Sequence, residues 1–183
     1  MARAGASYTV GMSTTPRRFP MSLDAGHRLI TLVVLFVCGV VVGLQVVLCR
    51  PPVQWIPVLT AIVLLPTLGV CWALAPTALA IDGSALRIER RGWRALEIPL
   101  HEIAALESAP AVRMLNTVRI FGVGGFFGTF GLMWSRSLGR FRAYATHSAP
   151  SLLLRRRGSL PVLVTPDDPH ALLAALRQAG VAA

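Results

Sequence analysis

Lysine is missing altogether: all 18 basic residues among the 183 are arginine. A functional demand for guanidinium groups would not empty a whole surface of lysine, so this absence reflects composition rather than chemistry. Acidic residues are scarce too, 8 in all, which leaves a formal net charge of +10. The three cysteines, Cys38, Cys49 and Cys71, stand in or beside apolar runs. Their odd number and lack of CxxC spacing exclude a disulfide framework and a cysteine metal site. In such surroundings cysteine behaves as a small hydrophobe. The four histidines, His27, His101, His147 and His170, have no ligand-spaced partner, and no HExxH occurs. No metal is therefore expected. No GK[ST] follows a glycine run, which excludes a P-loop. The serines lack a nucleophile-elbow context. Glu89, Glu97, Glu102 and Glu107 fall on predicted strands or turns and read as a solvated face. Nothing forms a catalytic constellation, and neither an enzyme nor a cofactor is expected.

What is present in excess is apolar sequence. Hydrophobic residues make up 54% of the chain, and they are concentrated: from Leu29 to Ala75 the only charge is Arg50. The run Leu29–Cys49 matches the ~20 residues that cross a bilayer. Many of its residues are β-branched, but in lipid a single segment must satisfy its own backbone, so a helix is expected. The second run, Val53–Ala75, contains Pro57 and Pro66, which bend a helix yet are tolerated in membranes. Trp55 and Trp72 stand near its ends, at headgroup level. The link Arg50-Pro51-Pro52 is short enough to force antiparallel neighbours. A retained anchor rather than a cleaved signal is expected, because the first run exceeds the roughly 7–15 residues of a signal core and a second span follows at once. Gly39 and Gly43 form a GxxxG, read either as helix packing within the hairpin or as a dimerisation face.

Arg3, Arg17, Arg18 and Arg28 precede the first span, and only Arg50 lies in the link. That bias predicts a multi-pass protein of the inner membrane with both termini cytoplasmic. The plan is a tail over 1–28, disordered to about residue 22, a transmembrane hairpin over 29–75 (spans 29–49 and 53–75), and a cytoplasmic domain over 76–183.

The domain reads as mainly β. Thr77 to Gly83 ends in an Asp-Gly turn signal, and Leu86-Arg-Ile-Glu alternates as a half-buried strand does. Arg90-Arg91-Gly92-Trp93 is a turn, followed by Leu96-Glu-Ile98 and Ile103 to Leu106. Val112 to Phe121, Phe141 to Thr146, Leu152 to Arg155 and Val162 to Thr165 continue the series. Short strands at roughly ten-residue spacing indicate a barrel or sandwich. Thr165-Pro166-Asp167-Asp168 then predicts a helix start, with Thr165 as cap. Leu172, Leu173 and Leu176 give that helix an apolar face that closes the barrel.

Three segments occur in a telling order: Ile120-Phe-Gly-Val-Gly-Gly-Phe-Phe-Gly-Thr-Phe-Gly131, Leu138-Gly-Arg-Phe-Arg-Ala-Tyr-Ala-Thr146, and Val164-Thr-Pro-Asp-Asp-Pro169. Together they resemble the bacterial pleckstrin-homology (PH)-like family over about residues 76–180. Leu86-Arg-Ile and Ile98-Pro-Leu-His-Glu-Ile103 resemble the early part of such domains. The resemblance implies a strongly bent β-barrel closed by a C-terminal helix, often attached to membrane helices. It leaves function open, because this fold serves lipid, peptide and protein binding alike.

Two groups of residues are candidate contacts for lipid or a partner. The first is aromatic: Phe126, Phe127 and Trp134, in or after a glycine loop that lacks the helix and acid of a dinucleotide fingerprint. These rings either pack under the barrel or seat the domain against the bilayer or the hairpin. The second group is basic. Arg90, Arg91 and Arg94, with Arg87, surround the first hairpin turn. Arg136, Arg140 and Arg142 flank the central loop, and Arg155, Arg156 and Arg157 form a run. They read either as a solvated face or, as the PH resemblance implies for basic loops, as headgroup contacts. The leading expectation is a non-catalytic, membrane-anchored module that binds a protein or peptide partner or assembles with itself. Its rival is anionic headgroup binding through the arginine loops. Nucleic acid is not an expected partner.

Overall fold

The computed structural model describes residues 16–109, 117–147 and 151–181. The expected disorder of residues 1–15, and the start of the extended stretch at Val112, lie outside them. Two long helices, α1 (Ala25–Leu48) and α2 (Ile56–Leu74), form a hairpin. Asp24 caps α1, its carboxylate accepting from the His27 N–H at 2.7 Å. Pro57 sits in the first turn of α2, where a missing N–H removes no helical bond. Only 6% of the most apolar window of each helix is buried inside the protein. A core helix of a soluble protein would be covered, so these are candidate membrane spans. A Cβ added at Gly39 or Gly43 would meet nothing within 4 Å. Both glycines face open space.

The first sheet has the order β1-β2-β3-β4, all antiparallel: β1 (Arg17–Pro20), β2 (Pro76–Asp82), β3 (Ala85–Arg90) and β4 (Leu96–Pro99). The β2–β3 turn needs a positive φ, and Gly83 supplies it at +54°. A 3₁₀ turn, Leu100–Glu102, carries the chain into the second sheet. That sheet comprises β5 (Ile103–Ala109), β6 (Thr117–Val123), β7 (Thr129–Ser135), β8 (Gly139–Ala145), β9 (Ser151–Arg156) and β10 (Val162–Val164). Its order is β5-β9-β10-β8-β7-β6, with β10 parallel to β8. Helix α3 (Pro169–Gln178) follows.

Leu79, Leu86, Ile88 and Ile98 of the first sheet share one core with Leu152, Leu154, Val162 and Val164 of the second, and with Leu172 and Leu176 of α3. A smaller cluster, Met133, Phe141, Ala143, Leu153 and Leu163, lies on the other face of β7 to β10. Burial on both faces explains why Leu152-Leu153-Leu154 is a continuous apolar run rather than an alternation.

Three expectations change. Among the described residues no ladder joins the two sheets, so the barrel is not closed. A cleft lined by the last turn of α2, the end of β3 at Arg90 and strand β6 opens between the sheets. Next, residues 16–22 are not a free tail. Arg17 to Pro20 pair with Ile81 to Ala78 of β2, Met21 enters the core, and Ser22 bonds to the Asp167 carboxylate through N–H and hydroxyl at 2.8 and 2.9 Å. Four residues are too few to show a period, and their partner strand lies beyond the hairpin. Last, α3 starts later than expected. Asp168 caps it, accepting from Ala171 N–H at 2.9 Å, while Thr165 is buried and accepts from Thr146 N–H at 2.9 Å. Leu173 is only half-buried against the core.

The helical hairpin is therefore an insertion between two hydrogen-bonded strands. Its two ends must lie on one side.

Candidate functional site

The glycine loop after β6 seats the domain on α1. The Phe127 N–H donates to Thr31 Oγ1 at 3.0 Å, and Thr31 donates to the His27 carbonyl at 2.8 Å. The His27 ring lies 2.7 Å from Asp24 and 3.3 Å from Thr129 Oγ1. Gly125, at φ +89°, lies against Ile30, and a Cβ there would come within 3.2 Å of it. Only glycine fits both that backbone conformation and that approach. The Phe126 and Phe127 rings meet at a tilt of 48° with centroids 4.4 Å apart. The end of α2 is held by the β3–β4 turn: the Arg91 guanidinium sits 5.7 Å from the Trp72 ring and 5.8 Å from that of Phe127. Such cation–π contacts contribute about 0.5–2 kcal/mol each.

Beside this seat runs a cleft of about 550 Å³. Val70, Cys71 and Leu74 of α2 form one wall, Arg119 to Val123 of β6 the other, and Arg90, Phe130 and Tyr144 line its inner part. The register of β6 against β7 shifts between Arg119 and Phe121, a bulge that helps expose the consecutive side chains Ile120 and Phe121. Phe121 is 80% exposed. Next to it along the ladder, Gly122 and Gly131 are paired, and a Cβ on either would run into the other strand's backbone at 2.2–2.3 Å. A second hollow of about 420 Å³ shares Phe121, Gly131 and Tyr144 and reaches Arg142 and Leu160.

The charge around the cleft is one-sided. Arg90 donates to the Tyr144 hydroxyl at 3.3 Å, while its buried Nε has no partner. The Arg119 guanidinium lies over Gly124, in the space a Cβ would take. Neither arginine has a carboxylate partner among the described residues. The 8 acids of the chain act elsewhere: Arg18 pairs with Glu89, Arg87 with Asp82 and Glu97, Arg155 with Glu107, and Arg156 with Glu102. Asp24 and Asp168 cap helices, and Asp167 binds Ser22.

The expected contact residues separate accordingly. Arg155 is tied to Glu107 of β5 and Arg156 to Glu102 of the 3₁₀ turn, and the hydrogen bond with Glu107 pushes the Arg155 pKa above its usual value. Arg157 and Arg94 are exposed, Arg94 with Arg91 at a shallow hollow of the β3–β4 turn. Arg136 and Arg140 are exposed at the β7–β8 turn, and Trp134 is exposed beside Val118 and Arg140 in register. Phe126 is buried at 8% exposure, and half-buried Phe127 packs its ring against the core while its N–H holds Thr31 of α1. Only Arg90 and Arg142 of the basic set border the cleft and its hollow. Arg119, Phe121 and Tyr144 were not singled out from sequence. The one available signal was the run Val118-Arg119-Ile120-Phe121, whose apolar residues break strict alternation. Among the described residues, no three His, Cys, Asp or Glu side chains group to hold a metal.

A family model described as the bacterial PH domain matches residues 77–180. No curated protein and no solved structure matches. The match takes in β3 to β10, α3 and all but the first residue of β2, and the arm and the helical hairpin precede it. The chain belongs to the bacterial PH domain family, a fold of binding modules, and carries two candidate membrane helices inserted ahead of its second strand.

Proposed function

We propose that this protein is a non-catalytic binding module anchored in the cytoplasmic membrane, with both termini in the cytoplasm, and that its ligand site is the cleft between α2 and β6. The observation that carries this reading is the pairing of apolar walls with unneutralised Arg90 and Arg119 in one opening. A concave, mostly apolar site with a few placed polar groups is the usual form of a ligand pocket, and 550 Å³ falls within its common range. Orientation rests on the arginine bias flanking the hairpin. The return of both hairpin ends to one sheet supports it.

A second reading has its own observation. Strand β6 ends its sheet, with a strand neighbour on one side only among the described residues, and Val118 and Ile120 are exposed on it. A protein partner or a second copy could add a strand there.

A photoreactive amino acid at position 121, in the full chain in native membranes, tests both. Adducts from position 121, absent when the probe stands at the remote, exposed Arg157, support a ligand at the cleft. No adduct from position 121 rejects the site.

A further inference from the structure

The occupant of the cleft can be read from where the cleft stands and what lines it. Val70 to Leu74 is the final turn or so of a candidate span, about 6 Å of helix at 1.5 Å per residue. In a membrane this stretch lies at the boundary of hydrocarbon and headgroups, the level at which Trp72 is favoured. The wall facing it, Ile120 and Phe121, is apolar and exposed, so it meets the same leaflet. A water-soluble ligand would have to enter at bilayer level. A lipid is already there.

The polar groups specify the headgroup. Arg90 and Arg119 border the apolar walls without a carboxylate partner, and one buried Nε–H of Arg90 is unsatisfied. A buried donor without an acceptor is costly, and a phosphate oxygen is a strong acceptor for a guanidinium. Two cations beside one apolar groove complement one anion carrying apolar chains. A zwitterionic headgroup would bring its own cation toward the same two arginines.

We infer that the cleft holds one anionic glycerophospholipid of the adjoining leaflet. Its phosphate lies between Arg90 and Arg119, and an acyl chain runs along Val70, Leu74 and Phe121. This rests on the cleft being the ligand site. It differs from headgroup binding by the arginine loops, since Arg155 and Arg156 take no part.

The full-length protein is placed in nanodiscs of phosphatidylcholine with and without phosphatidylglycerol, and retained lipid is read by native mass spectrometry. One retained phosphatidylglycerol is expected. Arg90→Gln with Arg119→Gln should lower its occupancy by at least about tenfold, the size of one lost charge-assisted bond. Arg155→Gln with Arg156→Gln should leave it unchanged. Equal retention by the cleft variant, or retention of phosphatidylcholine as readily as phosphatidylglycerol, overturns the inference. Should the cleft variant fail to fold, the photoreactive probe at position 121 in the otherwise unaltered chain decides. An adduct with the mass of phosphatidylglycerol supports the lipid. A protein adduct, or one with phosphatidylcholine alone, rejects the anionic lipid but keeps the cleft as a ligand site. No adduct at all rejects both.

Discussion

The hydroxyl of Thr31 joins helix to loop: it accepts from the Phe127 N–H and donates back to its own helix. Thr31 is 7% exposed, so water cannot readily replace it. Thr31→Ala should destabilise the full protein by about 1–3 kcal/mol, the cost of an unsatisfied buried donor, while Thr31→Ser should restore most of it. Chemical unfolding in detergent measures this, and an alanine variant as stable as the parent would mean the loop is not seated there. Core packing gives a sharper number. Leu176 is fully buried under both sheets, so Leu176→Ala should cost about 2–5 kcal/mol. Leu173→Ala, at a half-buried site, should cost clearly less. Equal losses would contradict the placement of α3. The leucines were legible in the sequence because helical spacing is a local signal. Thr31 was not, because a lone threonine in an apolar run says nothing about a loop that lies far along the chain.

At the scale of elements, the arm before α1 belongs to the domain after α2. Strand β1 covers the edge of β2, and Met21 completes the core. A fragment of residues 76–183 should therefore unfold at lower denaturant than the same fragment with residues 16–24 joined to it by a flexible Gly/Ser linker. Identical midpoints would show that the arm adds nothing. The Asp82-Gly83 turn, the alternation of β3 and the two apolar helices were readable because each is written within a few neighbouring residues. Strand β1, the open seam between the sheets and the late start of α3 were not. Each depends on a partner distant in sequence: β2 across the hairpin, α2 between the sheets, and Thr146 drawing Thr165 away from its cap. The cleft was legible in part. Arg90 stood out as charge, but only the β6-β7-β8 register and the end of α2 bring Arg119 and Phe121 to Tyr144 and Leu74.

For the whole molecule, the proposed anchoring requires an even number of crossings, because β1 and β2 are hydrogen-bonded neighbours. Arginine bias adds the direction. Fluorescent-protein fusions at either terminus should glow in cells, and alkaline phosphatase fusions should stay inactive. An active phosphatase at the C-terminus would reverse the orientation and place the cleft on the other leaflet. The proposed site takes its ligand at the seam of α2 and β6, beside the bilayer. Hydrogen exchange of the full protein in nanodiscs reads that seam directly. Adding phosphatidylglycerol to phosphatidylcholine discs should slow the amides of residues 119–123 and leave those of residues 152–156 unchanged. Slowing confined to the turns around Arg136 or Arg157, or no change along β6, would contradict it.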